Sequence, residues 1–272
     1  MSTSRARDSI QRTKMIDINE VHIESCLTTM SKMSDGLIDL TVTSPPYDNL
    51  REYNGYSFDF EAIAAELYRV TKVGGVVVWV VGDSTVNGSE SGTSFRQALH
   101  FKEIGFNLHD TMIYQKHNFS NPSVNRYHQI FEFMFIFSKG NPRRFNPIKD
   151  RANVEANKVG SWGKNTNRQA DGSFTERPQK INTKFGMRYN IWRIKTEMRP
   201  VHPAQFPESL ANDQILSWSN ERDVVYDPFM GSGTTAKMAI LNNRNYIGSE
   251  ISQDYLPIIQ KRLEPYIEKG QK

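Results

Sequence analysis

Six consecutive apolar residues, Val76-Val77-Val78-Trp79-Val80-Val81, constrain this chain more than any other stretch of it. A run so short and so rich in β-branched side chains fits a strand buried on both faces of a sheet. Buried strands of that kind occur where helices cover both faces, so helices are expected on either side of it in sequence. Upstream, Phe60, Ile63, Ala64, Leu67 and Tyr68 recur at helical spacing, and the Gly74-Gly75 pair is expected to stop that helix. Before it, Leu37 to Thr43 reads as another short strand. The unit is strand, helix, strand.

The alternation continues. A helix is expected from Thr93 to Ile104, with strands near Leu108 to Tyr114 and Phe131 to Phe137. Later come a helix over Phe206 to Trp218, a strand over Val224 to Tyr226, a helix over Thr234 to Leu241, a strand over Tyr246 to Gly248 and a helix over Tyr255 to Leu263. Such alternation predicts an α/β fold with a doubly wound, mostly parallel sheet. No internal repeat is evident.

Between Gly140 and about Arg193 the periodicity dissolves into Asn, Lys, Arg, Gly and Pro, which is long for a structureless loop inside a compact domain and suggests an inserted functional segment. Its charge sets it apart. From Lys139 to Arg199 there are 15 Lys and Arg against 5 Asp and Glu, a net of +10, while the remainder of the chain is net −6. Trp162, Phe174, Phe185, Tyr189 and Trp192 are interleaved with these basic residues, a composition that suits a nucleic-acid surface. Arg143, Arg144, Lys164 and Arg168 are the expected DNA-binding residues. The division expected is a mobile N-terminal tail over 1–14, one half of the main domain over 15–139, the insertion over 140–195 and the other half over 196–272.

Composition removes several classes. No apolar run reaches the roughly 20 residues of a membrane helix, and Met1 to Lys14 lacks the apolar core of a secretory signal, so a cytoplasmic location without membrane attachment is expected. Cys26 is the single cysteine, which excludes an internal disulfide framework and a zinc site built from several thiolates. The six histidines show no metal-ligand spacing, and no metal is expected.

Two motifs sit at predicted strand ends. The first is Asp227-Pro228-Phe229-Met230-Gly231-Ser232-Gly233-Thr234-Thr235, between a strand and a helix, with Glu250 at the end of the following strand. Ligands of open α/β sheets bind beyond the carboxyl ends of strands, where glycines admit close backbone approach and an acidic residue one strand later can grip ribose hydroxyls. A nucleoside-containing cofactor is expected, although this pattern alone does not choose between a nicotinamide and a methionine cofactor. The second motif is Thr43-Ser44-Pro45-Pro46-Tyr47. Consecutive prolines end the strand in a stiff turn, and the Ser44 hydroxyl with the Pro45 carbonyl can accept hydrogen bonds from an amine. Tyr47 offers a flat ring for stacking on a base swung out of its duplex. Taken singly, the turn reads more readily as a proline-rich bend with a half-buried Tyr.

Together, in this order, the two motifs resemble the amino-group DNA methyltransferases of the beta arrangement, whose catalytic half precedes the cofactor half. His202-Pro203-Ala204-Gln205-Phe206-Pro207, Tyr246-Ile247-Gly248-Ser249-Glu250 and the strand Phe133 to Gly140 resemble further motifs of that family. The resemblance implies a Rossmann-like methyltransferase fold with circularly permuted motif order, S-adenosylmethionine as cofactor, double-stranded DNA as substrate and a target-recognition role for the insertion. It implies catalytic roles for Ser44, Pro45, Pro46 and Tyr47, and cofactor contacts from Asp227, Pro228, Phe229, Gly231, Gly233, Thr234, Glu250, His202 and Pro203. The chain departs from the family at Glu24-Ser25-Cys26-Leu27, where Ser25 replaces an Asp that usually contacts the cofactor's adenine; Ser25 or Glu24 would take its place, or apolar neighbours would hold the adenine, or Ser25 simply begins a helix. Asp83 resembles a residue lining the family's catalytic pocket and reads equally as a loop residue.

Within the family, Ser at the position of Ser44 associates with N4-cytosine methylation and Asp with N6-adenine methylation. The expectation is therefore N4 of a flipped cytosine, with N6 of adenine as the alternative. A cognate restriction endonuclease acting on the same site is a further expected partner. A nicotinamide-dependent oxidoreductase would share the glycine loop but leaves the Ser44 turn and the basic segment without a role. A DNA-binding module without catalysis leaves both strand-end loops unexplained. Carbon-5 cytosine methylation needs a nucleophilic cysteine after a proline, and Cys26 follows Ser25.

Overall fold

The computed structural model describes residues 16–46, 58–119, 122, 124–157, 166–176, 181–195 and 207–267. The expected tail over 1–14 lies outside them. The chain divides into two compact units, one comprising Met1–Phe145 with Ile191–Lys272 and the other Asn146–Asn190.

The larger unit is built on eight strands: β1 (Glu20–Ile23), β2 (Ile38–Thr43), β3 (Thr71–Val81), β4 (Asn107–Gln115), β5 (Phe131–Ser138), β6 (Ile191–Arg193), β7 (Val224–Asp227) and β8 (Asn245–Glu250). They lie in the order β1-β8-β7-β2-β3-β5-β4-β6. Every neighbouring pair is parallel except those made by β5, which runs against β3 on one side and β4 on the other. The doubly wound, mostly parallel sheet expected from the alternation is the sheet observed.

The apolar run of β3 explains the two covering layers. Successive side chains point to opposite faces. Val77, Trp79 and Val81 therefore share one core with α1 (Cys26–Ser31), α2 (Phe60–Val70) and α3 (Thr93–Glu103). On the other face, α4 (Glu208–Trp218) brings the Gln214 amide to the sulfurs of Met112 and Met134, paired residues of β4 and β5. There α4 packs on α5 (Thr234–Leu241), and α5 on α6 (Leu256–Ile267).

Three elements differ from expectation. The Gly74-Gly75 pair does not stop α2; the helix ends at Val70 because Thr71 turns extended, its hydroxyl donating to the Leu67 carbonyl at 2.6 Å. The glycines lie inside β3, where Gly74 takes φ 85° and a Cβ would meet the Arg143 side chain at 2.2 Å. Strand β1 carries too little periodicity to be anticipated, whereas α1 starts after Ser25 as the helix-start reading expects. Finally, Ile191–Arg193, read as the end of the irregular segment, forms the edge strand β6 paired with β4.

Trp79 anchors this architecture. Its buried indole N–H donates to Gln97 of α3 at 2.8 Å, and its ring packs against Phe60, Phe101 and Phe229. Gln97→Met keeps the volume and strips the acceptor, so it is expected to cost roughly 1–3 kcal/mol. A urea unfolding series checks this: the midpoint should fall at unchanged slope, and a parental midpoint would show that Gln97 does not hold the indole.

Candidate active site

Because β1, β2, β3, β7 and β8 run parallel, their carboxyl ends emerge at one edge of the sheet. Ser44 follows β2, Asp227 ends β7 and Glu250 ends β8. Ser25 follows β1, whose last residue Ile23 is the register partner of Glu250. The two sequence motifs therefore meet on adjacent strands, about 4.8 Å apart.

Their junction is Asp227, which is buried, with 1% of its surface exposed. One carboxylate oxygen accepts from the Thr43 hydroxyl at 2.7 Å and from the Phe229 N–H at 3.0 Å. The other accepts from the Thr235 hydroxyl at 2.7 Å. Asp227 thus joins the residue before Ser44, the start of the glycine loop and the first turn of α5. Burial pushes its carboxyl up to about 6, against the opposing hydrogen bonds from Thr235, Thr43 and Phe229.

The loop after Asp227 is held at three further points. Gly231 donates its N–H to Glu250 at 2.8 Å, and Ser252 donates to the other Glu250 oxygen at 2.9 Å. Burial raises the Glu250 carboxyl above its ordinary value despite these two backbone donors. Met230 donates its N–H to the Ser249 carbonyl at 2.8 Å. From below, Arg262 reaches the Ser232 hydroxyl at 2.8 Å and also Glu208, which is shared with Lys237 at 2.6 Å. Burial alone would raise the Glu208 carboxyl; the hydrogen bonds from Lys237 and Arg262 outweigh it and hold that group below its usual value. Gly231 and Gly233 take φ 54° and 86°, in the left-handed region that favours glycine.

The remaining expected residues are placed as follows. Pro45 is buried and Ser44 and Pro46 are half-buried in the turn after β2. Phe229 turns its ring into the aromatic core, 5.7 Å from Phe58 and 6.2 Å from Trp79. Thr234 is buried at the start of α5. The Ser25 hydroxyl caps α1, accepting from the Thr28 N–H at 3.2 Å, while Glu24 is engaged by Lys32 and Thr29. Asp83 accepts from the Ser94 N–H at 2.9 Å and from the Ser91 hydroxyl at 3.0 Å, which ties it to the start of α3. Tyr47, Lys164, His202 and Pro203 lie outside the described residues, as does the side chain of Arg168.

Arg143 is not brought to this edge. Its N–H donates to the Gly74 carbonyl near the beginning of β3, and the strand from there to Val81 spans roughly 20 Å, so Arg143 and the adjacent Arg144 lie at the opposite end of the sheet from Ser44. Sequence reasoning also missed Thr43, Thr235 and Arg262 as organisers of the site. The first two sit inside the recognised motifs, and their hydroxyls next to a carboxylate destined for burial were the available signal.

Glycines with no side chain at a strand end, and a buried carboxylate fixed beside them, fit the nucleoside of S-adenosylmethionine. Each Glu250 oxygen keeps acceptor capacity beyond its one backbone donor. Fold and site define a class: a doubly wound sheet with a nucleoside-cofactor loop beside a proline-rich turn.

Comparison with known proteins carries this further. A family model described as DNA methylase, covering N6 and N4 enzymes, matches residues 38–261. An orphan methyltransferase of Bacillus amyloliquefaciens, M.BamHII, is 61% identical over 244 residues, which is 86% of this chain and 92% of that protein. The chain belongs to the amino-group DNA methylase family, and its cofactor is S-adenosylmethionine. Two solved structures share the fold. The PvuII cytosine-N4-specific DNA methyltransferase aligns with TM-score 0.65 at 18% identity, covering 94% of this chain and 93% of that one. A putative DNA modification methylase of Thermus thermophilus, in complex with S-adenosylmethionine, aligns with TM-score 0.62 at 22% identity, covering 91% and 93%. Among the described residues no helix is long and apolar enough to cross a membrane.

The raised Asp227 group gives a pH signature. Its neutral form is stabilised in the folded chain, so the associated stability is present below about pH 4 and is lost as pH rises through about 6. Asp227→Asn removes this titration. Melting temperatures of parent and variant at pH 4 to 7 check it: the parent should lose ground to the variant by a few degrees across that window, whereas a constant difference would contradict the assignment.

Proposed function

We propose that this chain methylates N4 of a cytosine swung out of double-stranded DNA at a specific site. The observation that carries the reading is the 2.7 Å bond from Thr43 to Asp227, which sets the Ser44-Pro45 turn and the glycine loop side by side on neighbouring strands. Transfer between two bound molecules requires that juxtaposition, and holding them aligned supplies much of the rate.

S-adenosylmethionine, when bound, supplies an electrophilic methyl group on a sulfonium. The residues of the chain perform the rest. Glu250 would hold the ribose hydroxyls, and the loop from Pro228 to Thr234 would take the nucleoside. Asp227, hydrogen-bonded by Thr43, Thr235 and Phe229, orients this loop from within. At the turn, the Ser44 hydroxyl and the Pro45 carbonyl accept the two hydrogens of the target amine. An exocyclic amine is conjugated with its ring and weakly nucleophilic, and bonds at these two points would favour a more tetrahedral nitrogen with an available lone pair. Tyr47 stacks on the extruded base.

The unit Asn146–Asn190 suits DNA contact. Its basic groups are organised: Arg188 pairs with Asp150, and Arg151 lies 4.7 Å over the exposed Tyr189 ring. Phe174 and Ile181 are exposed beside them in sequence. We assign this unit the reading of the target site, without Arg143 and Arg144. A DNA substrate and the absence of a membrane-crossing helix among the described residues accord with a cytoplasmic location. M.BamHII is described as an orphan methyltransferase, and a companion endonuclease is not part of this proposal.

The chemistry is read directly from the product. DNA methylated by the purified chain, digested to nucleosides and analysed by mass spectrometry, should contain N4-methylcytosine; N6-methyladenine alone would reject the cytosine assignment while keeping the amine mechanism. Ser44→Ala removes one charge-assisted bond of about 1.5–3 kcal/mol and should lower kcat about 10- to 100-fold with S-adenosylmethionine affinity unchanged. Parental turnover in this variant would remove Ser44 from the mechanism.

A further inference from the structure

The connection between β4 and β5 leaves the same edge of the sheet as Ser44. Phe133 of β5 lies opposite Val81, the last residue of β3, and Thr43 lies opposite Trp79. Counting strands from β2 through β3 and β5 to β4 puts the stem of this connection about 10–15 Å across from Ser44. It is a built feature. Lys116 donates its N–H to the Ile130 carbonyl at 2.6 Å, and the Phe119 and His128 rings stack at 4.1 Å. Arg126 reaches across to the short hairpin that follows β3, donating to the Gly88 carbonyl at 2.5 Å with Glu90 3.9 Å away. Beside this brace, Tyr127 is 99% exposed and Val124 is fully exposed. A large aromatic ring left wholly in water on an anchored loop, at the catalytic edge, is unusual for a side chain that prefers partial burial.

A base drawn out of its duplex leaves a flat gap in the stack and a partner base with an unpaired edge. Resting on the DNA-methylation reading above, we propose that Tyr127 enters the duplex and fills that gap. Its ring stacks between the neighbouring bases, and its hydroxyl, able to donate or accept, meets the edge of the orphaned partner base. The Arg126 brace holds the ring out toward DNA, and Tyr127 acts as a positioning residue that holds the target extruded.

The test compares two short synthetic duplexes carrying the site mapped from phage DNA methylated by the purified chain, one fully paired and one with the target base mispaired. A mispaired base leaves the stack with little help, so the need for a filling ring is specific to the paired duplex. Tyr127→Ala should lower kcat/KM on the paired duplex about tenfold or more and stay within about threefold of the parent on the mispaired one. Tyr127→Phe, which keeps the ring, should recover most of the loss, and S-adenosylmethionine affinity should match the parent in both variants. Equal losses on the two duplexes, or no loss on either, would overturn the insertion. Phage DNA left without any methylated site by the purified parent would overturn the methyltransferase reading beneath it.

Discussion

A single buried carboxylate organises this molecule. Asp227 receives hydrogen bonds from Thr43, Thr235 and Phe229, three groups that belong to the strand end before the Ser44 turn, the helix after the glycine loop and the loop itself. A charge taken out of water is costly unless its acceptor sites are filled, so the carboxylate and its donors stabilise one another only in this arrangement. The cost is visible in the upward displacement of its titration to about 6. The result is that the loop cannot shift without moving the strand that ends in Ser44.

The surrounding packing makes that junction rigid. Phe229, two residues past Asp227, is seated in the aromatic cluster of Phe58 and Trp79, so the loop is fixed from the α2–α3 face of the sheet. Arg262 fixes Ser232 from α6, and Glu250 fixes Gly231 from β8. Parallel strands then do the geometric work. Their carboxyl ends share an edge, and the one reversed strand, β5, returns the β4–β5 connection to that same edge with Tyr127 on it. Groups as far apart in sequence as Thr43 and Asp227 are thereby gathered at one edge.

Much of this was legible in the sequence where a local pattern carries a physical cause. The apolar run of β3, the helical spacing of Phe60 to Leu67 and the glycine loop each specify their own conformation, and the Pro45-Pro46 turn ends its strand by chemistry alone. The less legible features depend on tertiary partners. Gly74-Gly75 reads as a helix stop but serves a close approach of Arg143 to β3. Asp227 reads as a ligand contact, and that its oxygens also gather donors from three segments is set by the tertiary fold. Arg143 and Arg144 carry the charge expected of a DNA surface, but strand direction sends them to the far edge. Ser25 stands where a cofactor contact is usual and spends its hydroxyl on capping α1.

The two halves of the site act as one unit through the Thr43–Asp227 bond, and a double-mutant cycle measures that directly. Thr43→Val, which keeps the shape and removes the hydroxyl, is combined with Asp227→Asn, and kcat/KM for methyl transfer to DNA is determined for parent, single and double variants. The predicted result is a coupling of about 1.5–3 kcal/mol, with the double variant little worse than the poorer single one. Losses that simply add would contradict it, because the turn and the loop would then contribute to transfer independently.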